Sequence, residues 1–309
     1  MLAILAVAGA LACAVTPLRA VDAAGAGRTP AAPVVLRNVV LDGSGTEAVT
    51  ADIWRQQVRP ARRPTLHPVA LLVHGGGWHS GDKRQWERGR WAQRLAARGW
   101  VVVSVNYRLA CDPIRDPILC GHDMSASIAD VRAALTQTAR RARSWGGDAD
   151  RLVLFGASAG AQLAMLAAST RDAREHVRAV IALSPPVDLE WVGARPDLPL
   201  YSAVSRSLGC EASACPDTWR AASPAAAIDA EVTPATWIFD AGSDPITPIA
   251  PVRDYVAALR SAGIPVAMIT TADPGDGCHG PQPCAGAALT GAGSGDLFER
   301  SQAWLRMRL

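Results

Sequence analysis

Short, nearly continuous runs of apolar residues recur along the chain. Runs without alternation are typical of strands that are buried on both faces of a parallel sheet. They predict strands at 69–73, 101–105, 152–155, 177–183, 236–239 and 266–269. Ahead of them, residues 34–40 and 46–54 predict an antiparallel pair of strands, joined by a turn at residues 42–45.

Stretches with helical periodicity lie between these runs and predict helices at 86–98, 125–143, 159–169, 251–262 and 294–308. Alternation of strands and helices predicts an α/β fold, with a mostly parallel central sheet and helices on both of its faces. Residues 188–230 lack clear periodicity, so we expect a short insertion there, after the sixth strand and over the carboxyl edge of the sheet. Since the sequence shows no repeat and no second core, residues 34–309 are expected to form one domain.

The first 24 residues are apolar and rich in small side chains, which is typical of a signal peptide. Their apolar run is shorter than the roughly 20 residues that a membrane span needs, so no stable span is expected. Cys13 is an alternative site of lipid attachment. Residues 25–33 are small, contain proline and predict a flexible leader. The expected location is therefore secreted or periplasmic.

Composition narrows the class of protein. Hydrophobic residues make up 49% of the chain and charged residues 19%, as in a globular protein with a buried core. The net charge of +3 is small, and basic residues alternate with acidic ones. The sequence therefore predicts no nucleic-acid partner.

Six cysteines remain after the predicted signal peptide, and an even number in an exported chain indicates disulfides. Six cysteines allow 15 pairings. The spacing favours three local pairs: Cys111–Cys120, Cys210–Cys215 and Cys278–Cys284. Because no C-x-x-C spacing occurs, no metal site is predicted.

The segment Gly156-Ala157-Ser158-Ala159-Gly160 has the pattern G-x-S-x-G, directly after a predicted strand and directly before a predicted helix. A nucleophilic serine requires this sharp turn, with glycines where side chains would clash. An ordinary glycine-rich turn between strand and helix is the alternative. The context favours Ser158 as the nucleophile.

A second motif, His74-Gly75-Gly76-Gly77-Trp78, follows the predicted strand 69–73. Consecutive glycines let backbone N–H groups approach a bound carbonyl, and with the Ala159 N–H they would form an oxyanion hole. A glycine turn needed only for packing is the alternative.

Together these motifs resemble the hormone-sensitive-lipase-like and feruloyl-esterase-like branch of the α/β-hydrolases, over residues 34–309. The resemblance implies the α/β-hydrolase fold, and oxyanion N–H groups from Gly76 and Gly77. It also implies that His74 orders the loop rather than acting as the base.

In this fold the triad follows the chain order serine, acid, histidine. Two histidines follow Ser158: His176, in a charged helix end, and His279, in the loop where the family places its catalytic base. The acid is expected after strand 236–239, where Asp244 in G-x-D-P resembles the family's acid loop more closely than Asp240. Asp273 and Asp276 are further alternatives.

The resulting hypothesis is a secreted serine carboxylesterase that hydrolyses small to moderate acyl esters through an acyl-enzyme intermediate. It needs no cofactor, and its partner is a small-molecule ester; the oligomeric state is not indicated. An amidase, formamidase or peptidase with the same triad is the alternative. A non-catalytic binding protein on this fold is less favoured, because all three triad candidates are present in order.

Overall fold

A computed structural model describes residues 33–45, 48–57, 65–111, 120–272, 278–280 and 296–309. The predicted signal peptide, all of the predicted leader except Pro33, and the acid alternatives Asp273 and Asp276 lie outside these ranges. In the described part of the chain, no helix is both long enough and apolar enough to cross a membrane.

Eight strands form one sheet in the order β1-β2-β4-β3-β5-β6-β7-β8. The strands are β1 (Val34–Asp42), β2 (Val49–Arg55), β3 (His67–Val73), β4 (Val101–Val105), β5 (Gly147–Ala157), β6 (Val177–Leu183), β7 (Ala235–Phe239) and β8 (Val266–Ile269). The first two are antiparallel to their neighbours, and β3 to β8 are parallel. The predicted, mostly parallel sheet is confirmed.

Ten α-helices are described around the sheet. They are α1 (Gln85–Arg88), α2 (Trp91–Ala97), α3 (Met124–Arg141), α4 (Ala159–Ala168), α5 (Arg171–Arg174), α6 (Leu189–Gly193), α7 (Pro199–Leu208), α8 (Pro216–Ala221), α9 (Ile249–Ser261) and α10 (Leu297–Leu305). Successive strand residues point to opposite faces. Accordingly, Leu71 of β3 packs in a core cluster with α3, α4 and α9, and Leu72 packs in a second cluster with α1, α2 and α10. Helices therefore cover both faces, as predicted.

The predicted single helix at 86–98 is wrong, because the chain breaks between α1 and α2. Arg90 adopts a left-handed conformation with φ of 61°. Trp86 and Trp91 are five residues apart, and an unbroken helix would place them on different faces. The break lets both indoles enter the same core cluster, where their rings meet edge to face at 5.6 Å.

The insertion after β6 contains helices where the sequence pattern predicted no regular structure. Helices α6 and α8 have only five and six residues, too few to display amphipathic periodicity. Helix α7 has ten residues and an amphipathic pattern, which the sequence-based prediction missed. Two of the three helices begin at a proline and the third is capped by Asp188, whose side chain accepts the Trp191 N–H. A disulfide, Cys210–Cys215, closes the turn between α7 and α8. The position of the insertion after β6 is as predicted.

A buried amide ties the insertion to the rest of the fold. Gln162 of α4 is fully buried (0% exposed), its Oε1 accepts from Trp78 Nε1 at 3.0 Å, and its Nε2 donates to the Ala222 carbonyl at 2.7 Å. One side chain therefore joins the loop after β3, helix α4 and the end of the insertion.

We expect Gln162→Met to lower the free energy of unfolding by about 2–4 kcal/mol, because two buried polar groups lose their partners at roughly 1–3 kcal/mol each. Urea denaturation measures this change. Gln93→Met, on the exposed side of α2, is the matched control and should lie close to wild type. An equal loss in both variants would contradict the role given to Gln162.

Candidate active site

The turn at Ser158 is strained. The residue lies between the end of β5 and the start of α4, with φ of 53° and ψ of −126°. A non-glycine residue in such a conformation is costly, and it persists only where the surrounding structure enforces it. The Ser158 N–H is held by the Leu183 carbonyl at 2.8 Å.

Close backbone packing explains both glycines around Ser158. A Cβ on Gly156 would lie 2.4 Å from the Cα of Ala161, and a Cβ on Gly160 would lie 2.2 Å from the His74 carbonyl oxygen. Both distances are impossible for carbon, so any larger residue would push α4 away from β3 and β5. The pattern G-x-S-x-G thus has a steric cause in this chain.

The structure brings together the side chains predicted as nucleophile, base and acid. His279 Nε2 lies 2.7 Å from Ser158 Oγ, and His279 Nδ1 lies 3.0 and 2.9 Å from the two carboxylate oxygens of Asp244. Because a carboxylate only accepts, Nδ1 carries the proton and Nε2 is free to accept the Ser158 hydroxyl. The imidazole remains 18% exposed, whereas the Asp244 side chain is fully buried.

Asp244 is held as a carboxylate by several donors. Its Oδ1 accepts the backbone N–H groups of Ile246 and Thr247, each at 2.8 Å. Burial alone would raise the pKa of Asp244, but the hydrogen bond and charge of His279, together with these N–H groups, keep that pKa below its ordinary value. Asp244, rather than Asp240, is therefore the carboxylate that faces the imidazole.

Ser184, which the motifs did not reveal, supports the histidine loop. It directly follows β6, is buried and has a positive φ of 49°. Its hydroxyl accepts the Gly280 N–H at 3.0 Å, and its own N–H donates to the Phe239 carbonyl at 2.7 Å. The residue after His279 is thus fixed to the same sheet edge that carries Ser158. Its place after a buried strand was the only signal in the sequence.

The glycine loop after β3 lies against the turn at Ser158. A Cβ on Gly75 would be 3.3 Å from the Ser158 Cβ, and the Gly75 N–H is already bound by Gln85 Oε1 at 2.7 Å. Gly76 and Gly77 have φ of 131° and 60°. A Cβ on Gly76 would lie 2.0 Å from the Ser80 carbonyl oxygen, so this position requires glycine.

His74 packs inside the loop instead of joining the Ser158 chain of hydrogen bonds. Its ring stacks on Tyr107 at 4.2 Å, and its Nδ1 lies 2.8 Å from the Gly75 carbonyl oxygen. Burial lowers the pKa of His74 to about 4, so the ring is neutral at physiological pH. A neutral, buried ring suits the expected role in ordering the loop.

Two of the predicted disulfides, Cys111–Cys120 and Cys210–Cys215, are present. Cys278, the residue before His279, is also disulfide-bonded. Its predicted partner Cys284 lies outside the described residues.

The other histidine downstream of Ser158 does not contact the Ser158–His279–Asp244 group. His176 lines a cavity of about 520 Å³ together with residues of α3 and α5, including Arg132, Arg140 and Asp172. Its Nδ1 lies 3.8 Å from the Asp150 carboxylate. None of the lining residues belongs to the Ser158–His279–Asp244 group, which leaves His279 as the base candidate.

Known proteins are similar to this chain in sequence and in fold. The BD-FAE family model matches residues 57–259. Esterase LipQ of Mycobacterium tuberculosis is 30% identical over 243 residues, which cover 72% of this chain and 52% of LipQ. The chain therefore spans about half the length of that curated relative.

Solved structures share the fold. A thermophilic esterase of Thermogutta terrifontis with bound propionate aligns with a TM-score of 0.62 and 22% identity, covering 90% of this chain and 94% of that one. A truncated carbohydrate esterase from gut microbiota aligns with a TM-score of 0.62 and 18% identity, covering 79% and 90%. These alignments confirm the α/β-hydrolase fold.

If Ser184 holds the histidine loop and the Ser158–His279–Asp244 group hydrolyses esters, Ser184→Ala should lower kcat for an ester substrate by about 10-fold to 100-fold with little change in KM. The reason is that small misplacements of a reacting group are costly. Steady-state kinetics measures the effect. Ser301→Ala, which removes a buried hydroxyl from α10, is the control and should retain full activity. Wild-type kcat in Ser184→Ala would exclude this role.

Proposed function

This chain belongs to the BD-FAE family, and on that premise we propose that it is a serine carboxylesterase. Ser158 acts as nucleophile, His279 as general base and Asp244 as the acid that orients the imidazole. The hydrogen-bonded series from Asp244 through His279 to Ser158 Oγ carries this proposal. Its three members come from separate loops and meet at one strained turn, an arrangement that packing alone does not require.

The first half-reaction follows from the hydrogen bonds. Ser158 Oγ attacks the ester carbonyl carbon while its proton passes to His279 Nε2. The imidazolium that forms is stabilised by the Asp244 carboxylate, which already accepts the proton on Nδ1. His279 then gives the new proton to the leaving alcohol oxygen, and an acyl ester on Ser158 remains.

Water completes the cycle. His279 removes a proton from a water molecule, whose oxygen attacks the acyl carbon, and the proton returns to Ser158 Oγ as the acid leaves. No step needs a group beyond the chain and water.

Backbone N–H groups stabilise the oxyanion of each tetrahedral intermediate in this proposal. Ala159 follows the nucleophile as the first residue of α4, so its N–H points out of the helix end without an intrahelical acceptor. Gly76 and Gly77 offer further N–H groups from the loop that packs on Ser158. The Gly75 N–H is engaged by Gln85, which supports the second and third glycines as donors.

We propose that the substrates are esters with small to moderate acyl groups. The insertion reaches the glycine loop, since Ser207 Oγ of α7 lies 3.5 Å from His79 Nε2. His79 in turn is hydrogen-bonded through Nδ1 to the Gly77 carbonyl. Helix α7 therefore lies next to the proposed oxyanion donors, where it would restrict the space for a long chain.

An oxidising location is part of the proposal. Two disulfides close short loops, and such bonds persist in secreted and periplasmic proteins. They support export through the predicted signal peptide, residues 1–24.

Replacing the nucleophile tests the activity directly. We expect Ser158→Ala to lower kcat for p-nitrophenyl butyrate on the order of 10⁴-fold or more, since no acyl-enzyme can form. Ser144→Ala, which changes an exposed hydroxyl remote from the sheet edge, should behave as wild type. Retained hydrolysis in a folded Ser158→Ala protein would overturn the proposal.

A panel of substrates tests specificity. We expect kcat/KM to be at least about tenfold higher for acetyl and butyryl esters than for palmitoyl esters, equivalent to about 1.4 kcal/mol of transition-state binding. Matching anilides and formamides should react more slowly than the esters. Preference for palmitoyl esters would point to a lipase, and faster amide cleavage to an amidase.

A further inference from the structure

A second buried carboxyl group lies behind the proposed acid. Asp240 directly follows β7 and is fully buried (0% exposed). Its backbone N–H donates to the Ile269 carbonyl at 3.2 Å. Within the described part of the chain, neither of its carboxyl oxygens has a hydrogen-bond partner of normal geometry. A buried carboxylate without any donor is rare, because burial strongly disfavours the bare charge.

Asp244, four residues further along the same loop, is the charged group that acts on this carboxyl. Two carboxylates cannot share a hydrogen bond unless one of them carries a proton. Asp244 already accepts two backbone N–H groups and the Nδ1 proton of His279, and these contacts favour its charged form. A proton shared between the two therefore belongs on Asp240.

The surroundings of Asp240 favour the neutral form. Its neighbours Phe239 and Ala241 and the paired residue Ile269 belong to an apolar cluster that also includes Phe298 of α10. The charged group that acts on it among the described residues is Asp244, and His279 lies beyond that carboxylate. Burial first, and the charge of Asp244 second, raise the pKa of Asp240 well above its ordinary value, against a smaller opposing effect of the Ala241 backbone N–H.

We propose that Asp240 is a positioning residue that stays protonated and donates its O–H to the Asp244 carboxylate. The proposal rests on the proposed function, since it assigns a support to the acid of that triad. The donated hydrogen bond fixes the carboxylate plane against the imidazole. It also adds no charge, so that Asp240, Asp244 and a neutral His279 together carry a single negative charge.

Protonation of Asp240 can be observed without activity. The infrared spectrum of Ser158→Ala at neutral pH should contain the carbonyl band of a protonated carboxylic acid, and Asp240→Asn should lack it. Asp254→Asn, on the exposed side of α9, is the control and should retain the band. Absence of the band from the Ser158→Ala protein would overturn the proposal even if ester hydrolysis is established.

Two substitutions test whether Asp240 contributes to the rate. Asp240→Asn replaces the acid by a neutral amide of the same shape that still donates, so we expect kcat/KM within about threefold of wild type. Asp240→Ala removes the donor, and we expect kcat to fall by about 10-fold to 100-fold, as when an outer support of a reacting group is lost. KM should change little in both variants.

The pH profile separates a neutral Asp240 from an ionised one. If Asp240 is neutral, Asp240→Asn leaves the midpoint of the acid limb of kcat/KM unchanged. If it is ionised, the same substitution removes a negative charge near the imidazole and moves that midpoint to lower pH. Such a shift, or equal activity of Asp240→Ala and wild type, would contradict the proposal. Loss of function in Ser158→Ala tests the proposed function independently of these outcomes.

Discussion

The active-site region depends on one close approach, that of the first turn of α4 to the backbone after β3. The His74 carbonyl oxygen lies where a side chain at residue 160 would begin. This contact holds Ser158 in its strained conformation, because α4 cannot tilt away without opening the core beneath it. It also sets the distance between the turn and the glycine loop. Ser158, the proposed nucleophile, and the proposed oxyanion donors are therefore positioned by the same packing.

The loop that carries His279 is held by residues that follow several strands, rather than by contacts within the loop. Ser184 after β6 binds the Gly280 N–H, Asp244 after β7 binds the imidazole, and Cys278 is disulfide-bonded. In parallel sheets the carboxyl ends of neighbouring strands converge on one edge, where loops from distant parts of the chain meet. Sequence separations of 35 residues from Asp244 to His279 and 121 from Ser158 to His279 are bridged in this way.

The parts of this fold that could be predicted from sequence are those with a local physical cause. Strands β4, β6 and β8 coincide with their predicted ranges. β4 is buried along its whole length, as expected for a strand that is covered on both faces. The break at Arg90 was missed because it follows from the packing of Trp86 and Trp91, which leaves no periodic pattern. Helices α6 and α8 were missed because they are little more than one turn long, whereas α7 was missed although its ten residues are amphipathic. The motifs identified Ser158, Asp244 and His279 as candidates. Ser184 carries no motif, and Asp240 was only the less favoured candidate for the acid; the roles proposed for both rest on burial and on contacts across the sheet.

Burial of a second acid beside Asp244 lowers the stability of the fold. The direction in which this effect changes with pH follows from the protons bound by the folded and unfolded chains. Above the ordinary pKa of an unfolded aspartate, the unfolded chain releases the Asp240 proton and the folded chain keeps it. Folding then requires uptake of a proton, so this residue makes the fold less stable as pH rises toward neutrality. Asp244 acts in the opposite sense, since its lowered pKa stabilises the fold above that range and this contribution is lost as pH falls. At neutral pH the two residues together therefore contribute less to the free energy of unfolding than Asp244 would alone. Their single charged carboxylate is held in a fixed orientation against the imidazole.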